Sequence, residues 1–324
     1  MKNDAIDKMV RAKVVLAPMS GVTDIPFRMM ARKFGCAFAF TEMIDVNGII
    51  HNNRKTFKLM DRFPGDSPLG VQLVGQDEEK ILYAAKICEE KGFDVLDINA
   101  GCPARKVVKG GKGAALLKDP VKLAGIIRKL VKELAIPVTV KIRSGWDKDS
   151  INYMEVAKAV VSEGAKSICI HSRRKDEMYR GKPDHNVVSI LKKEVKVPVF
   201  ASGNIFSLQD VKDVFAKTGC DGVFLARGAL GRPWFFREIN DFFSKSSQRE
   251  EPPLEEIKNV IIDHCSLNME FYNKKMALKR MYKHLTWYLK RLKGLDGIMR
   301  QYKNVEDFDS FCEFIKTVEG GNKQ

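Results

Sequence analysis

A cysteine follows a short apolar run in the sequence Asn99-Ala100-Gly101-Cys102-Pro103. A thiol at the end of a strand can donate a proton to a carbanionic carbon, although a free cysteine is more often a small buried hydrophobic residue. The glycine-rich and lysine-rich stretch at 107–113 (VVKGGKG) is typical of a loop that closes over a substrate, or of a merely exposed loop. Cys102 is therefore the candidate general acid of an active site.

Polar and small residues also stand at the ends of most other apolar runs. In a barrel enzyme the site is built from the carboxyl ends of the strands, so these positions can be considered together. Any one of them is more often structural than functional, but their recurrence indicates a binding site. The candidates are Pro18, Met19, Ser20, Gln72, Asn99, Lys141, His171, Ser202, Gly203, Asn204, Ala226 and Arg227.

The chemistry of this set suits flavin mononucleotide (FMN). Glycines after the last two runs allow backbone N–H groups to approach a phosphate, with Arg227 as its charge partner. Gln72 can donate to and accept from the edge of the isoalloxazine ring, and Lys141 can stabilise negative charge on the reduced ring. The chain has no HExxH, no Ser–His–Asp order and no clustered carboxylates, which disfavours hydrolysis and a metal site.

Eight β-rich apolar runs alternate with amphipathic helical stretches, a pattern that indicates parallel strands with crossover helices. An α/β fold with a (β/α)8 TIM barrel is the simplest closure, and an open doubly wound sheet is the alternative. The predicted strands are Val14–Met19, Phe38–Thr41, Leu69–Val74, Val95–Asn99, Val138–Ile142, Ser167–His171, Val199–Ser202 and Gly222–Leu225. The predicted helices are Asp24–Phe34, Glu78–Lys91, Pro120–Leu134, Tyr153–Glu163, Val187–Lys193, Leu208–Lys217 and Arg232–Phe243.

The rest of the chain predicts a second, all-α domain. A polar, proline-ended segment at 244–253 has the composition of a linker, so the FMN-binding barrel domain should span 1–243. Residues 254–318 have helical periodicity and enough apolar residues for a small helical bundle, and 319–324 form a tail.

Positive charge is concentrated in this helical segment. The chain carries 56 Lys and Arg against 41 Asp and Glu, a net charge of +15, and nucleic acid is a natural partner for such a surface. The predicted RNA contacts in the segment are Lys279, Arg280, Lys283, Lys290 and Arg291.

Seven cysteines without CxxC pairing fit reduced thiols, and the apolar run VVLAPM is too short for a signal or membrane segment. We therefore expect a cytoplasmic protein without a membrane partner. The sequence does not determine the oligomeric state, and we expect a monomer.

Several stretches together make the chain resemble the tRNA-dihydrouridine synthase family, most like its bacterial DusB branch. The resemblance covers nearly the whole chain. The stretches are APMSGVTDIPFR at 17–28, TEM at 41–43, GVQLVG at 70–75, DINAGCPARKVVKGGKGAALLKDP at 97–120, VKIRSGWD at 140–147, VPVFASGNI at 197–205, ARGALGRPWFF at 226–236 and KHLTWYLK at 283–290.

The resemblance implies the following roles. Pro18, Met19 and Ser20 would lie against the flavin, Gln72 and Lys141 would bind its ring, and His171 would lie near it. Ser202, Gly203, Asn204, Ala226 and Arg227 would bind its phosphate end. NADPH, or NADH, would reduce the FMN. Hydride would then pass to C6 of a flipped-out uridine, which in this family lies in the D-loop of tRNA, while Cys102 protonates C5. Asn99 would help to bind the uracil, and Arg173, Arg174 and the basic helical tail would contact the tRNA.

Two stretches depart from the family pattern. Ser172-Arg173-Arg174 follows His171 where Gly-Arg-Thr is more usual, and Ala226 replaces a glycine before Arg227. Two alternative functions stay open at this point. One is an FMN-dependent dehydrogenase of a free pyrimidine or another small molecule, and the other is a catalytically silent RNA-binding protein.

Overall fold

Eight parallel strands close into a barrel in chain order, so the predicted TIM barrel is confirmed. The computed structural model describes residues 4–245, 251–290 and 295–319. The strands are β1 Val14–Leu16, β2 Phe38–Asp45, β3 Leu69–Val74, β4 Val95–Ala100, β5 Val138–Arg143, β6 Ile168–His171, β7 Val199–Ser202 and β8 Gly222–Leu225.

Four predicted strands end at the wrong residue: β4 and β5 each run one residue further than predicted, and β1 and β2 differ by more. β1 stops at Leu16, not at Met19, because Pro18 has no N–H to donate and the N–H groups of Val22 and Thr23 turn back to the Met19 carbonyl. β2 continues past Thr41 to Asp45 through a register irregularity between Phe40 and Met43.

The helices follow the strands as predicted, and side-chain caps mark where several of them begin. The helices are α1 Asp4–Ala12, α2 Ile25–Lys33, α3 Val46–Ile50, α4 Arg54–Lys58, α5 Glu78–Glu90, α6 Arg105–Lys109, α7 Pro120–Glu133, α8 Tyr153–Ser162, α9 Asn186–Glu194, α10 Leu208–Thr218, α11 Phe235–Phe243, α12 Leu254–Phe271, α13 Lys274–Tyr288, α14 Leu295–Gln301 and α15 Phe308–Lys316. Asp77 caps α5 and Asp119 caps α7, while Ser207 and Asp210 form a capping box on α10. Of the helices in the described parts of the chain, none is long and apolar enough to cross a membrane.

Phenylalanine rings fill the barrel interior near α1. Phe40 and Phe224 lie 5.4 Å apart between ring centroids, and Phe200 and Phe224 lie 5.5 Å apart. A Cβ at Gly70 would lie 2.2 Å from the Phe40 ring, so the ring needs glycine at that position of β3. This apolar packing belongs to the end where α1 closes the barrel. The carboxyl ends of the strands are left for polar residues.

The chain forms two compact units. The barrel unit ends at Arg227, and the helical unit begins at Gly228 and also takes in Ile25–Gly35, which contains α2. The core of the helical unit combines Trp234 with residues of α12, α13 and α15 such as Ile261, Leu285 and Phe311. The unit boundary at 227 lies before α11, earlier than the predicted limit at 243, because Trp234 packs into the core of the helical unit. The predicted linker at 244–253 lies partly outside the described residues.

Candidate active site

The loop that carries Cys102 is held in place by Asn99. The Asn99 Oδ1 atom accepts hydrogen bonds from the backbone N–H of Gly101 at 3.1 Å and of Cys102 at 2.8 Å. On the other side, the N–H of Ala114 donates to the Cys102 carbonyl at 3.0 Å. Gly113, with φ +60°, makes this approach possible, because a Cβ there would lie 2.8 Å from the same carbonyl oxygen. The thiol is half-buried and free, at the carboxyl end of β4.

A chain of buried hydrogen bonds runs beneath this loop across β3, β4 and β5. The Gln72 Nε2 donates to the Asp97 Oδ2 at 2.7 Å, and the Asn99 Nδ2 donates to the Gln72 Oε1 at 2.8 Å. The Thr139 hydroxyl donates to the other Asp97 oxygen at 2.7 Å. Burial raises the pKa of Asp97 to about 6, against the lowering effect of the bonds from Thr139 and Gln72 and of the charge on Lys141. The structure thus brings together three residues that the sequence predicted, Gln72, Asn99 and Lys141, and adds Asp97.

His171 ends β6 as a buried and uncharged imidazole. Desolvation, followed by the positive charges of Lys141, Arg143 and other arginines, holds the pKa of His171 far below its usual value. Gly203, with φ +122°, lies directly against the ring, since a Cβ there would lie 3.0 Å from the imidazole Cδ2. Residue 203 begins the loop after β7. A side chain there would collide with the His171 imidazole and push it out of its position.

The end of the site assigned to phosphate centres on Asn204. Its Oδ1 accepts from the guanidinium of Arg173 at 3.1 Å and from that of Arg227 at 3.0 Å. Arg227 is exposed and lies 5.3 Å from the centroid of the Tyr179 ring and 5.2 Å from that of Phe206. Because the guanidinium has five N–H donors and the residue is exposed, it can also donate to an anion. Ser202, Gly203, Asn204 and Arg227 are thus neighbours at the ends of β7 and β8, and Ala226 lies half-buried beside them.

Arg143 is a site residue that the sequence analysis missed. It is 2% exposed, and its Nε donates to the Gly101 carbonyl at 2.8 Å. Its Nη1 donates to the carbonyls of Arg174 and Met178, both at 2.8 Å. Desolvation lowers the pKa of Arg143 to about 10, so the group stays charged at neutral pH. It ties the Cys102 loop to the loop after β6. An arginine at the end of a buried strand was the available sequence signal.

Arg173 does not lie where an RNA contact is expected. The side chain is 1% exposed, donates to the Arg180 carbonyl at 2.8 Å and lies 3.4 Å from the His171 Nε2. The loop folds back over the guanidinium. The guanidinium therefore donates its hydrogen bonds to the loop and to Asn204, and not to solvent. Arg174 is half-buried, and its Nε lies 3.1 Å from Asp176.

The remaining barrel residues of the site lie on two further loops. Pro18 and Met19 are half-buried and Ser20 is exposed, in a turn where the Met19 N–H donates to the Thr23 hydroxyl at 3.0 Å. The glycine-rich stretch at 107–113 includes part of the short helix α6. Lys112 follows that helix, and its ammonium group lies 2.7 Å from both carboxylate oxygens of Asp45. This ion pair joins the stretch to the end of β2.

The basic residues of the helical unit cluster along α13. Lys279, Lys283 and Lys290 are exposed, while Arg280 is half-buried and lies 4.3 Å from the centroid of the Tyr272 ring. Tyr282, 45% exposed, lies among the lysines. Lysines mixed with exposed aromatic rings are typical of nucleic-acid surfaces. Arg291 lies outside the described residues.

Comparison with known proteins agrees with this geometry. The family model for dihydrouridine synthase (Dus) matches residues 15–319. The tRNA-dihydrouridine synthase B of Pseudomonas aeruginosa is 34% identical over 304 residues, which cover 94% of this chain and 92% of that protein. The protein of the same name from Pasteurella multocida is 35% identical over 295 residues, covering 91% and 89%.

A solved structure of a 2-naphthoyl-CoA reductase complex shares the fold alone. Its TM-score is 0.53 at 11% identity, over 72% of this chain and 50% of that one. The sequence relatives carry the assignment, because they span both compact units. The chain belongs to the dihydrouridine synthase family and is similar to its B branch.

Proposed function

We propose that this protein reduces uridines in tRNA to 5,6-dihydrouridine, with bound FMN as cofactor and NADPH or NADH as reductant. The observation that carries the proposal is the placement of Cys102. The backbone of its loop is hydrogen-bonded to Asn99, and Asn99 is hydrogen-bonded to Gln72. The proposed acid, Cys102, and the proposed ring-binding amide, Gln72, therefore belong to one hydrogen-bond network. The names of the relatives support the substrate.

The residues present fit FMN at both of its ends. Arg227 is exposed and bonded to Asn204, so its guanidinium can also donate to a phosphate, and the residue before Asn204 is a glycine, as close approach of a phosphate to the backbone favours. Gln72 keeps one N–H and one lone pair beyond its two bonds, which suits the mixed donor and acceptor edge of an isoalloxazine. When bound, reduced FMN supplies the hydride that reduces C6 of the uracil ring.

The residues of the chain supply the other half of the reduction. Cys102 donates its proton to C5, so that one hydride and one proton add across the C5=C6 double bond. Asn99 has one N–H that is not used by Gln72, and this group donates to a uracil carbonyl. Lys141 would supply positive charge to the flavin ring and stabilise its reduced form.

The substrate is a base that has left its stack, which costs a few kcal/mol and is least costly in a loop. We therefore place the reduced uridine in the D-loop, as the resemblance implies. Lys279, Lys283 and Lys290 of the helical unit hold the tRNA through its phosphates, independently of sequence.

Two measurements test this proposal together. The purified protein should carry a yellow cofactor that mass spectrometry identifies as FMN. In the presence of NADPH it should form dihydrouridine in unmodified tRNA, and it should leave free uridine and uracil unchanged. Reduction of the free pyrimidines in place of tRNA would favour a small-molecule dehydrogenase, and absence of any flavin would favour an RNA-binding protein without this activity.

A further inference from the structure

Asp97 lies in the middle of β4, two residues before Asn99, and is not among the residues with a part in the proposed chemistry. It is 1% exposed and meets the side chains of Gln72 and Thr139. We propose that Asp97 is a positioning residue that sets the direction of the hydrogen-bond chain through Gln72 and Asn99, and thereby holds the Cys102 loop.

The direction follows from what each group can donate. An ionised carboxylate only accepts, so Gln72 must turn its Nε2 toward Asp97. The Gln72 Oε1 then faces Asn99, and the Asn99 Nδ2 must donate to it. This leaves the Asn99 Oδ1 for the two backbone N–H groups of Gly101 and Cys102. Reversing Gln72 would set its Oε1 against the Asp97 carboxylate and its Nε2 against the Asn99 Nδ2, and reversing Asn99 would set its Nδ2 against the two backbone N–H groups.

Burial makes such a reversal costly. Gln72 is 1% exposed and Asn99 is 7% exposed, so water cannot easily replace a lost partner. Thr139 does not fix the direction, because a hydroxyl can both donate and accept. The carboxylate of Asp97, which can only accept, therefore fixes one end of the chain, and the backbone N–H groups of Gly101 and Cys102, which can only donate, define the other.

The consequence for catalysis rests on the proposed function. Gln72 would present its remaining N–H and lone pair to the flavin edge, and Cys102 would present its thiol to C5. Both orientations depend on the same carboxylate, although Asp97 is bonded to Gln72 and Thr139 and not to Cys102. Replacing Asp97 would thus disturb the flavin edge and the acid at the same time.

Hydrogen exchange of the Gly101 and Cys102 amides tests the proposal without flavin or RNA. In Asp97→Ala these two amides should exchange about tenfold faster than in the wild type, the effect of a lost buried hydrogen bond. Thr139→Val is the matched control, because it removes a bond to the same carboxylate but leaves the path to Cys102 intact. Its two amides should exchange at the wild-type rate, and amides of β6 should be unaffected in both variants.

Asp97→Asn tests whether the direction of the hydrogen bonds or the negative charge of Asp97 protects the two amides. Its carbonyl can accept from Gln72 while its amide donates to Thr139, so wild-type protection should return. Fast exchange in Asp97→Asn, or wild-type exchange in Asp97→Ala, would overturn the proposal. Should Asp97→Ala fail to fold, Gln72→Met breaks the hydrogen-bond chain one step further on. The Gly101 and Cys102 amides must then also exchange faster than in the wild type.

Dihydrouridine assays on the same proteins distinguish this proposal from the proposed function. With tRNA as substrate, Asp97→Ala should lower kcat more than it raises KM, and Asp97→Asn should recover most of kcat. A wild-type protein that makes no dihydrouridine would remove the proposed function, yet faster exchange of the Gly101 and Cys102 amides in Asp97→Ala would still support the role of Asp97.

Discussion

Gly203 touches the imidazole of His171 so closely that a methyl group at 203 would lie 3.0 Å from the ring. The same glycine has φ +122°, a conformation that L side chains rarely adopt. Two neighbouring strand ends of the barrel therefore meet at a position that accepts no side chain.

Gly203→Ala should consequently lower the free energy of unfolding by about 2 kcal/mol, from backbone strain and from the displaced ring. Urea unfolding measures this loss. Gly219→Ala is the control, because Gly219 also has a positive φ, +62°, but a Cβ there would meet nothing within 4 Å. An equal loss in both variants would show that contact with His171 contributes nothing.

Arg227→Ala should weaken FMN binding at least about tenfold, because it removes a charge-assisted hydrogen bond to the phosphate. Arg227→Lys should retain part of the affinity, and Lys193→Ala, an exposed lysine on α9, should retain all of it. Fluorescence titration of the apoprotein with FMN measures the three affinities. Unchanged binding in Arg227→Ala would remove the phosphate site from the ends of β7 and β8.

Two buried imidazoles should make the protein less stable in acid. Burial lowers the pKa of His264 to about 3, and burial together with the neighbouring His264 lowers that of His284 as well. The unfolded chain therefore binds more protons, so this contribution to stability is present above about pH 6.5 and is lost as the pH falls toward 3. For His264 the loss at pH 5 is about 2 kcal/mol.

His264→Phe should reduce this dependence, when urea unfolding of wild type and variant is compared at pH 7.5 and pH 5. The comparison with wild type matters because Asp97, whose pKa is raised to about 6, acts in the opposite direction and favours the folded state as the pH falls from 6. Parallel losses in the two proteins between the two pH values would contradict the assignment to His264.

Lys279→Ala combined with Lys283→Ala should weaken tRNA binding and make it less dependent on salt. Each lost phosphate contact lowers the slope of log K against log salt concentration by up to about 1. Fluorescence anisotropy at several salt concentrations measures the slope. Lys193→Ala combined with Lys196→Ala, two exposed lysines of the barrel unit, is the control. If both pairs have the same effect, the protein binds tRNA by its overall charge and not through α13.

Much of this architecture could be predicted from the sequence, because strands of a parallel barrel are buried on both faces and appear as apolar runs. β3, β7 and β8 begin and end at the predicted residues. Gln72, Asn99 and Lys141 could be found as polar residues within or at the ends of such runs.

Asp97 and Arg143 could not be assigned a role in the same way. Their partners are on neighbouring strands and loops, and only the register that sets Gln72 beside Asp97 and Asn99 beside Lys141 brings them together. Arg173 shows the opposite case. It was expected to contact the tRNA, but the loop folds back and buries the guanidinium.

The central claim is that Cys102 is the acid of a tRNA uridine reduction. Nucleoside mass spectrometry after incubation with unmodified tRNA and NADPH tests it most directly, with wild type and Cys102→Ala compared at equal FMN content. Cys312→Ala, which changes the other half-buried thiol, is the control. The account predicts dihydrouridine from the wild type and from Cys312→Ala, and much less from Cys102→Ala. Equal amounts from all three would contradict the role of Cys102, and no product from a flavin-loaded wild type would contradict the proposed function itself.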